Sequence, residues 1–226
     1  MSGVIELRAG AGRALKAAYL RRRYAILFYT LLLTMVVSPL VGAFELNGAM
    51  IELFLAANLL AAVLPVKAGI HRRFLLAAMV VVWLVRPTAA WFDHPALSAM
   101  TLGLWTLIGM LGAAGALRFA LRAGRIDDEH LYAALSAYLL SGIFFGLFYW
   151  ALEEIGAGTF TTPSEFTRAS GLYFSFVTLA TLGYGDIVPR TDVARGLAIV
   201  EGVGGQLFLA VMVARLVSLY ARVEPR

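Results

Sequence analysis

Cysteine is missing from the chain altogether, which excludes a disulfide framework and any thiolate metal site. Charge is scarce as well: Asp, Glu, Lys and Arg make up 15% of the residues, where a soluble domain usually carries about 25%. That shortage excludes an ordinary cytosolic globule. Histidine occurs only as His71, His94 and His130, in three separate connectors, so no metal cluster or acid–base constellation points to an enzyme. The opening stretch Met1–Leu20 lacks the long apolar centre and cleavage site of a secretory signal, and is expected to remain on the mature protein. The net charge is +5, yet the bases sit in short clusters between apolar blocks and not along one soluble face. Nucleic acid is therefore not an expected partner.

What the chain has in excess is apolar surface, 61% of all residues, gathered into blocks of roughly 18 to 25, the length that crosses a bilayer core. The blocks run over Tyr24–Phe44, Ala49–Val66, Phe74–Phe92, Ser98–Leu121, Leu131–Leu152 and Val193–Tyr220. The third is interrupted by Arg86-Pro87, where a kink or break is expected. Basic residues mark the cytoplasmic loops: Arg8, Arg13, Lys16 and Arg21 to Arg23 before the first block, Lys67, Arg72 and Arg73 after the second, Arg118, Arg122 and Arg125 after the fourth. The connector Glu45–Gly48 has none.

The expected architecture is an all-α integral membrane protein of the cell (inner) membrane, with six transmembrane helices set in the lipid bilayer. Both termini are cytoplasmic, and the long link Glu153–Asp192 is outside. Residues 1–23 form a basic segment, either an interfacial helix or a solvated tail. Residues 24–121 form a four-helix region, and residues 125–226 a separate unit with a short tail and no appended soluble domain. Arg118, Arg122 and Arg125 lie at the cytoplasmic end of their block and not through the membrane depth, so orientation explains them better than voltage sensing.

Within the outer link, Gly171–Pro189 reads GLYFSFVTLATLGYGDIVP. Phe166–Ala180 reads as a helix too short to span, stopping at Thr181-Leu182-Gly183-Tyr184-Gly185. Irregular backbone at membrane depth is costly unless it is buried in protein or lines an aqueous path. Glycine at 183 and 185 admits conformations that turn successive carbonyls to one side. Four such files around an axis would make stacked oxygen rings able to replace a cation's water shell, with the Thr181 hydroxyl adding one more ring at the inner end. The short helix would aim the negative end of its dipole at the central cavity. Tyr184 is expected to face away from the axis and pack on Tyr173 and Phe174.

TLGYGD, Thr181 to Asp186, resembles the selectivity filter of potassium channels. Its flanks, YLLSGIFFGLFYWALEE before it and ARGLAIVEGVGGQLFLAVMVARLV after it, resemble the two-helix pore module of bacterial potassium channels. The resemblance implies a re-entrant pore helix and filter between the fifth and sixth spans. It also implies a homotetramer with three further copies, and K+ as the permeant ion held by the carbonyls of Thr181, Leu182, Gly183 and Tyr184 and by the Thr181 hydroxyl. No cofactor is implied. Asp186, Tyr173, Phe174 and Thr178 become filter supports. Two residues depart from the family pattern: Phe174 has no N–H to donate to Asp186, and Val177 stands where some relatives place a glutamate. A non-selective cation channel, or a non-conducting scaffold or transporter component, are the alternative readings.

In the last block Gly205 falls where such channels have a gating hinge, and Gln206, Leu209 and Val213 share one helical face suited to a cavity and gate. Glu201 is the one acid well inside a span, where ionisable groups mark function by default. Its position turns it away from that face, towards the pore helix, where Thr178, Ser175 or a neighbouring backbone can reach it. It is read either as a buried tie between helices or as a proton-sensitive site. Glu153, Glu154, Glu165 and Asp186 collect near the outer mouth, either to concentrate cations or to pair with Arg168 and Arg190.

Overall fold

The computed structural model describes residues 19, 21–43, 56–57, 60, 63, 70–91, 95–122 and 127–220. Most of the first 23 residues, most of the second apolar block, Arg125 and the final tail lie outside the described residues. Those described form six helices: α1 (Arg23–Ala43), α2 (Ile70–Trp91), α3 (Pro95–Leu121), α4 (Asp128–Ile155), α5 (Arg168–Leu179) and α6 (Asp192–Tyr220), with two-residue strands β1 (Phe160–Thr161) and β2 (Val188–Pro189). Three stretches, Met100–Leu121, Asp128–Ile155 and Asp192–Arg215, are long and apolar enough to cross a membrane. The expected interruption at Arg86-Pro87 does not end α2, which continues to Trp91. A proline removes one helical hydrogen bond, and the apolar residues ahead of it carry the helix through.

Helix α4 is the hub, since α1, α3, α5 and α6 all pack on it. Its Leu140, Phe144 and Leu147 are buried together with Leu27 and Leu31 of α1 and Trp105 and Ile108 of α3. Asp127 caps α4 by accepting the His130 N–H. Burial of the Asp127 carboxyl raises its pKa, but the hydrogen bonds from His130 outweigh that and hold it below the ordinary range. The cap is thus complete at neutral pH and weakens only as pH falls through that lowered value.

The first helix is anchored to the hub at the same end. The Glu129 carboxylate of α4 accepts the N–H groups of Tyr24 at 3.0 Å and Ala25 at 3.3 Å, satisfying donors that a helix start leaves open. Phe119 of α3 stacks between Tyr24 and His130, with centroids at 4.6 and 4.4 Å. Arg215 of α6 donates to the Leu121 carbonyl at the end of α3. The peripheral helices and the α4–α6 unit are therefore packed together within one chain.

Where α4 meets α5 the backbones touch. A Cβ built at Gly171 would lie 2.5 Å from the Gly146 carbonyl oxygen, and one at Gly146 would lie 2.7 Å from the Leu172 Cα. Glycines at this crossing let the short helix seat against the hub, the usual role of small residues between membrane helices.

Candidate functional site: a pore helix, a filter segment and an inner helix

Helix α5 starts at a capping box in which Thr167 and Ser170 exchange side-chain and backbone hydrogen bonds. At its other end the Thr181 N–H reaches the Thr178 carbonyl at 3.0 Å and the Leu182 N–H reaches the Val177 carbonyl at 2.8 Å. With Ala180 as the C-cap, this pair of bonds is a Schellman ending. Such endings place a residue in the left-handed region, ordinarily glycine. Here it is Thr181, at φ 56°. A β-branched residue loses about 1–2 kcal/mol in that conformation, and glycine would not.

Gly183 at φ 60° and Gly185 at φ 79° continue the pattern. Residues 181, 183 and 185 are thus left-handed while 182 and 184 are not. Such an alternation departs from the regular backbone of a strand, where successive carbonyls point to opposite sides. Residues 181–186 are all exposed in the chain.

The outer end of the segment is stapled. Beyond Asp186 and the buried Ile187, β2 pairs antiparallel with β1 from the other side of α5, Phe160 opposite Pro189 and Thr161 opposite Val188. The Glu153 carboxylate, at the end of α4, accepts the N–H groups of Gly158 at 2.7 Å and Phe160 at 3.0 Å. Glu153 is thus committed to this staple. Tyr173 stacks on Tyr184 at 6.3 Å. Phe174 faces the other way, into a cluster with Tyr149 at 5.0 Å and Phe160 at 5.2 Å.

Helix α6 passes behind the inner end. Gln206 Nε2 donates to Thr181 Oγ1 at 3.3 Å, and Leu209 and Val213 are exposed in the chain. Thr178 borders α6 at Gly202, with 3.8 Å between its Cγ2 and a Cβ built there. Gly205 is buried in unbroken helix, and a Cβ there would sit 2.6 Å from the Leu179 carbonyl oxygen. Gly205→Ala is therefore expected to lower the thermal midpoint of the purified protein by forcing α6 away from α5. If this glycine served bending alone, alanine would instead raise stability by about 0.5–1 kcal/mol.

Glu201 is 1% exposed. Tyr149 Oη donates to its Oε2 at 2.8 Å, and Ser175 Oγ contacts its Oε1. Ser175 was among the partners the helical wheel reached; Tyr149 was not, because its place opposite depends on how α4 packs. Thr178 makes no hydrogen bond to Glu201 among the described residues.

A short helix ending in an irregular exposed segment, clasped between two long apolar helices, is the arrangement of a membrane channel pore. Residues 133–222 match the family model described as "Ion channel". Protein LctB of Bacillus caldotenax is 32% identical over 100 residues, covering 41% of this chain and 74% of that protein. Two pore potassium channel c of Oryza sativa subsp. japonica is 38% identical over 91 residues, covering 39% of this chain and 18% of the other. Inward rectifier potassium channel Kirbac3.1 of Paramagnetospirillum magnetotacticum is 33% identical over 85 residues, 38% of this chain and 28% of that one. The matched region spans about a fifth of the length of the rice channels. No solved structure matches. The chain belongs to the ion-channel family; it is a membrane protein and not an enzyme.

Proposed function

We propose that this chain is one of four identical subunits of a potassium-selective channel, and that K+ passes down its gradient along residues 181–185. The observation that carries this reading is the alternation of backbone hand at Thr181, Gly183 and Gly185. Four copies of such a segment offer rings of carbonyl oxygen from Thr181, Leu182, Gly183 and Tyr184, and a ring of Thr181 hydroxyls. A divided chain of carbonyls from one subunit cannot surround an ion. The unpartnered surface agrees: 11% of the α6 span is buried within the subunit, against 56% of α4.

In this assembly Gln206, Leu209 and Val213 line the inner cavity, and Gly205 lets α6 pass close to the pore helix. Residues 125–226 form the pore, and residues 24–121 pack around it. On this reading the chain has six spans, and the basic clusters between them favour cytoplasmic termini.

The test is flux from potassium-loaded liposomes containing only this protein, with the mass of the purified assembly measured alongside. Potassium-driven flux that sodium cannot replace, from a particle of about four 24.4 kDa chains, is the expected result. Equal sodium flux would make the channel non-selective, and a monodisperse dimer without flux would end the channel reading.

A further inference from the structure

We infer that Glu201, carrying its proton, is a positioning residue that holds the pore helix at the depth potassium selectivity requires. The inference rests on the channel reading above, and it comes from counting hydrogens. Ser175, itself fully buried, has one hydroxyl hydrogen and two oxygen neighbours, the Gly142 carbonyl at 2.7 Å and Glu201 Oε1. A carbonyl only accepts, so the serine hydrogen goes to Gly142. The hydrogen between Ser175 and Glu201 must then be the glutamate's own. Tyr149 Oη completes the set by donating to the second carboxyl oxygen.

In that arrangement every polar atom of the node is satisfied with no net charge. The titratable groups facing Glu201 are Tyr149 and Tyr138, both from α4. Among the described residues no cation faces it from α4, α5 or α6, so an ionised carboxylate would stand uncompensated inside a span.

The node joins the three elements that define the filter's position. Gly142 and Tyr149 belong to α4, Ser175 to α5 and Glu201 to α6. Ser175 lies one turn before the end of α5, whose Schellman ending delivers Thr181. Tyr149 also packs edge-on against Phe160 at 5.6 Å, and Phe160 is the strand residue paired with Pro189 beyond the filter. A shift at Glu201 therefore reaches both ends of residues 181–185.

The experiment measures reversal potentials in mixed potassium and sodium for the full-length protein in planar bilayers, with assembly checked by size-exclusion chromatography. Glu201→Gln supplies a donor for Ser175 and an acceptor for Tyr149, so it is expected to keep the wild-type permeability ratio. Glu201→Leu keeps the bulk and loses the bonds, and its potassium-over-sodium ratio is expected to fall about tenfold, the scale of one buried hydrogen bond. If Glu201→Leu fails to assemble, Ser175→Ala, which removes a single hydroxyl, is expected to lower the ratio in the same direction. Wild-type ratios in assembled Ser175→Ala and Glu201→Leu would overturn the inference, and so would a Glu201→Gln variant as unselective as Glu201→Leu. The proton has its own readout: an infrared carbonyl stretch of a protonated carboxylic acid, shifted in deuterium oxide and missing from Glu201→Gln. Absence of that band in the wild type overturns the inference whatever the channel conducts. A wild type with the band but no potassium preference instead refutes the potassium selectivity on which the inference rests, and leaves the proton assignment standing.

Discussion

Gly185→Ala is expected to reduce potassium flux in liposomes to the level of protein-free vesicles, while the protein still inserts and assembles. Gly183→Ala should do the same. At neither position does any described atom of the chain lie within 4 Å of where the new Cβ would stand, so the effect does not come from a clash within the chain. It comes from the backbone, since φ is 79° at Gly185 and 60° at Gly183. An L-residue loses about 1–2 kcal/mol in that region, and in the proposed assembly of four copies the loss recurs in each. Relaxation to negative φ would relieve it by turning carbonyls off the ion path. Because the segment is exposed within its subunit, the rest of the fold has no reason to follow. Potassium-selective flux retained in either variant would remove the ion-path assignment of these residues. Thr181 bears the same strain already, at φ 56°, which makes its hydroxyl the counterpart experiment: Thr181→Gly eases the backbone and deletes the oxygen.

The largest expected loss of stability lies away from the ion path, at the crossing of α4 and α5. A Cβ at Gly171 would come within 2.5 Å of the Gly146 carbonyl oxygen and 3.4 Å of the Trp150 Cβ. The obstructing atom is backbone inside a helix and has no rotamer by which to yield. Gly171→Ala must therefore separate the two helices, at a cost of about 3 kcal/mol. The expected result is a lowered midpoint in thermal unfolding of the purified protein and loss of the assembled peak in chromatography. Gly115→Ala is the control. It lies in α3 with nothing within 4 Å, and alanine in a helix interior should be stabilising by about 0.5–1 kcal/mol. A Gly171→Ala protein as stable as this control would contradict the packing of α5 on α4.

Several features of the site were open to reading before any coordinates. The apolar blocks announced membrane helices, and TLGYGD between two of them pointed to a channel. The helical wheel turned Glu201 towards Ser175 because a period of 3.6 residues fixes relative direction along one helix. It had nothing to say about Tyr149, which arrives from another helix 52 residues away. Of the kink or break expected at Arg86-Pro87, the break does not occur, since α2 continues to Trp91. Proline weakens a helix locally, but continuation depends on the residues on both sides. Tyr184 was expected against both Tyr173 and Phe174, and it stacks on Tyr173 while Phe174 packs on Tyr149 and Phe160. Which neighbour it meets depends on how the segment folds back beside α5, a proximity that no spacing of residues reveals.

By itself the sequence determined the class of this protein. Membrane spans and glycine-dependent backbone are local properties, set by runs of apolar side chains and by the presence or lack of a Cβ. Only the tertiary structure decided that Gly146 and Gly171 are a crossing point, that Gly205 lies against the Leu179 carbonyl, and that β1 and β2 close the outer end of the filter segment. It also decided that Thr181, and not a glycine, takes the left-handed turn ending α5. These are relations between elements distant in the chain. They depend on which helix faces come together, and that choice minimises voids and unpaired polar groups over the whole fold and not within any one segment.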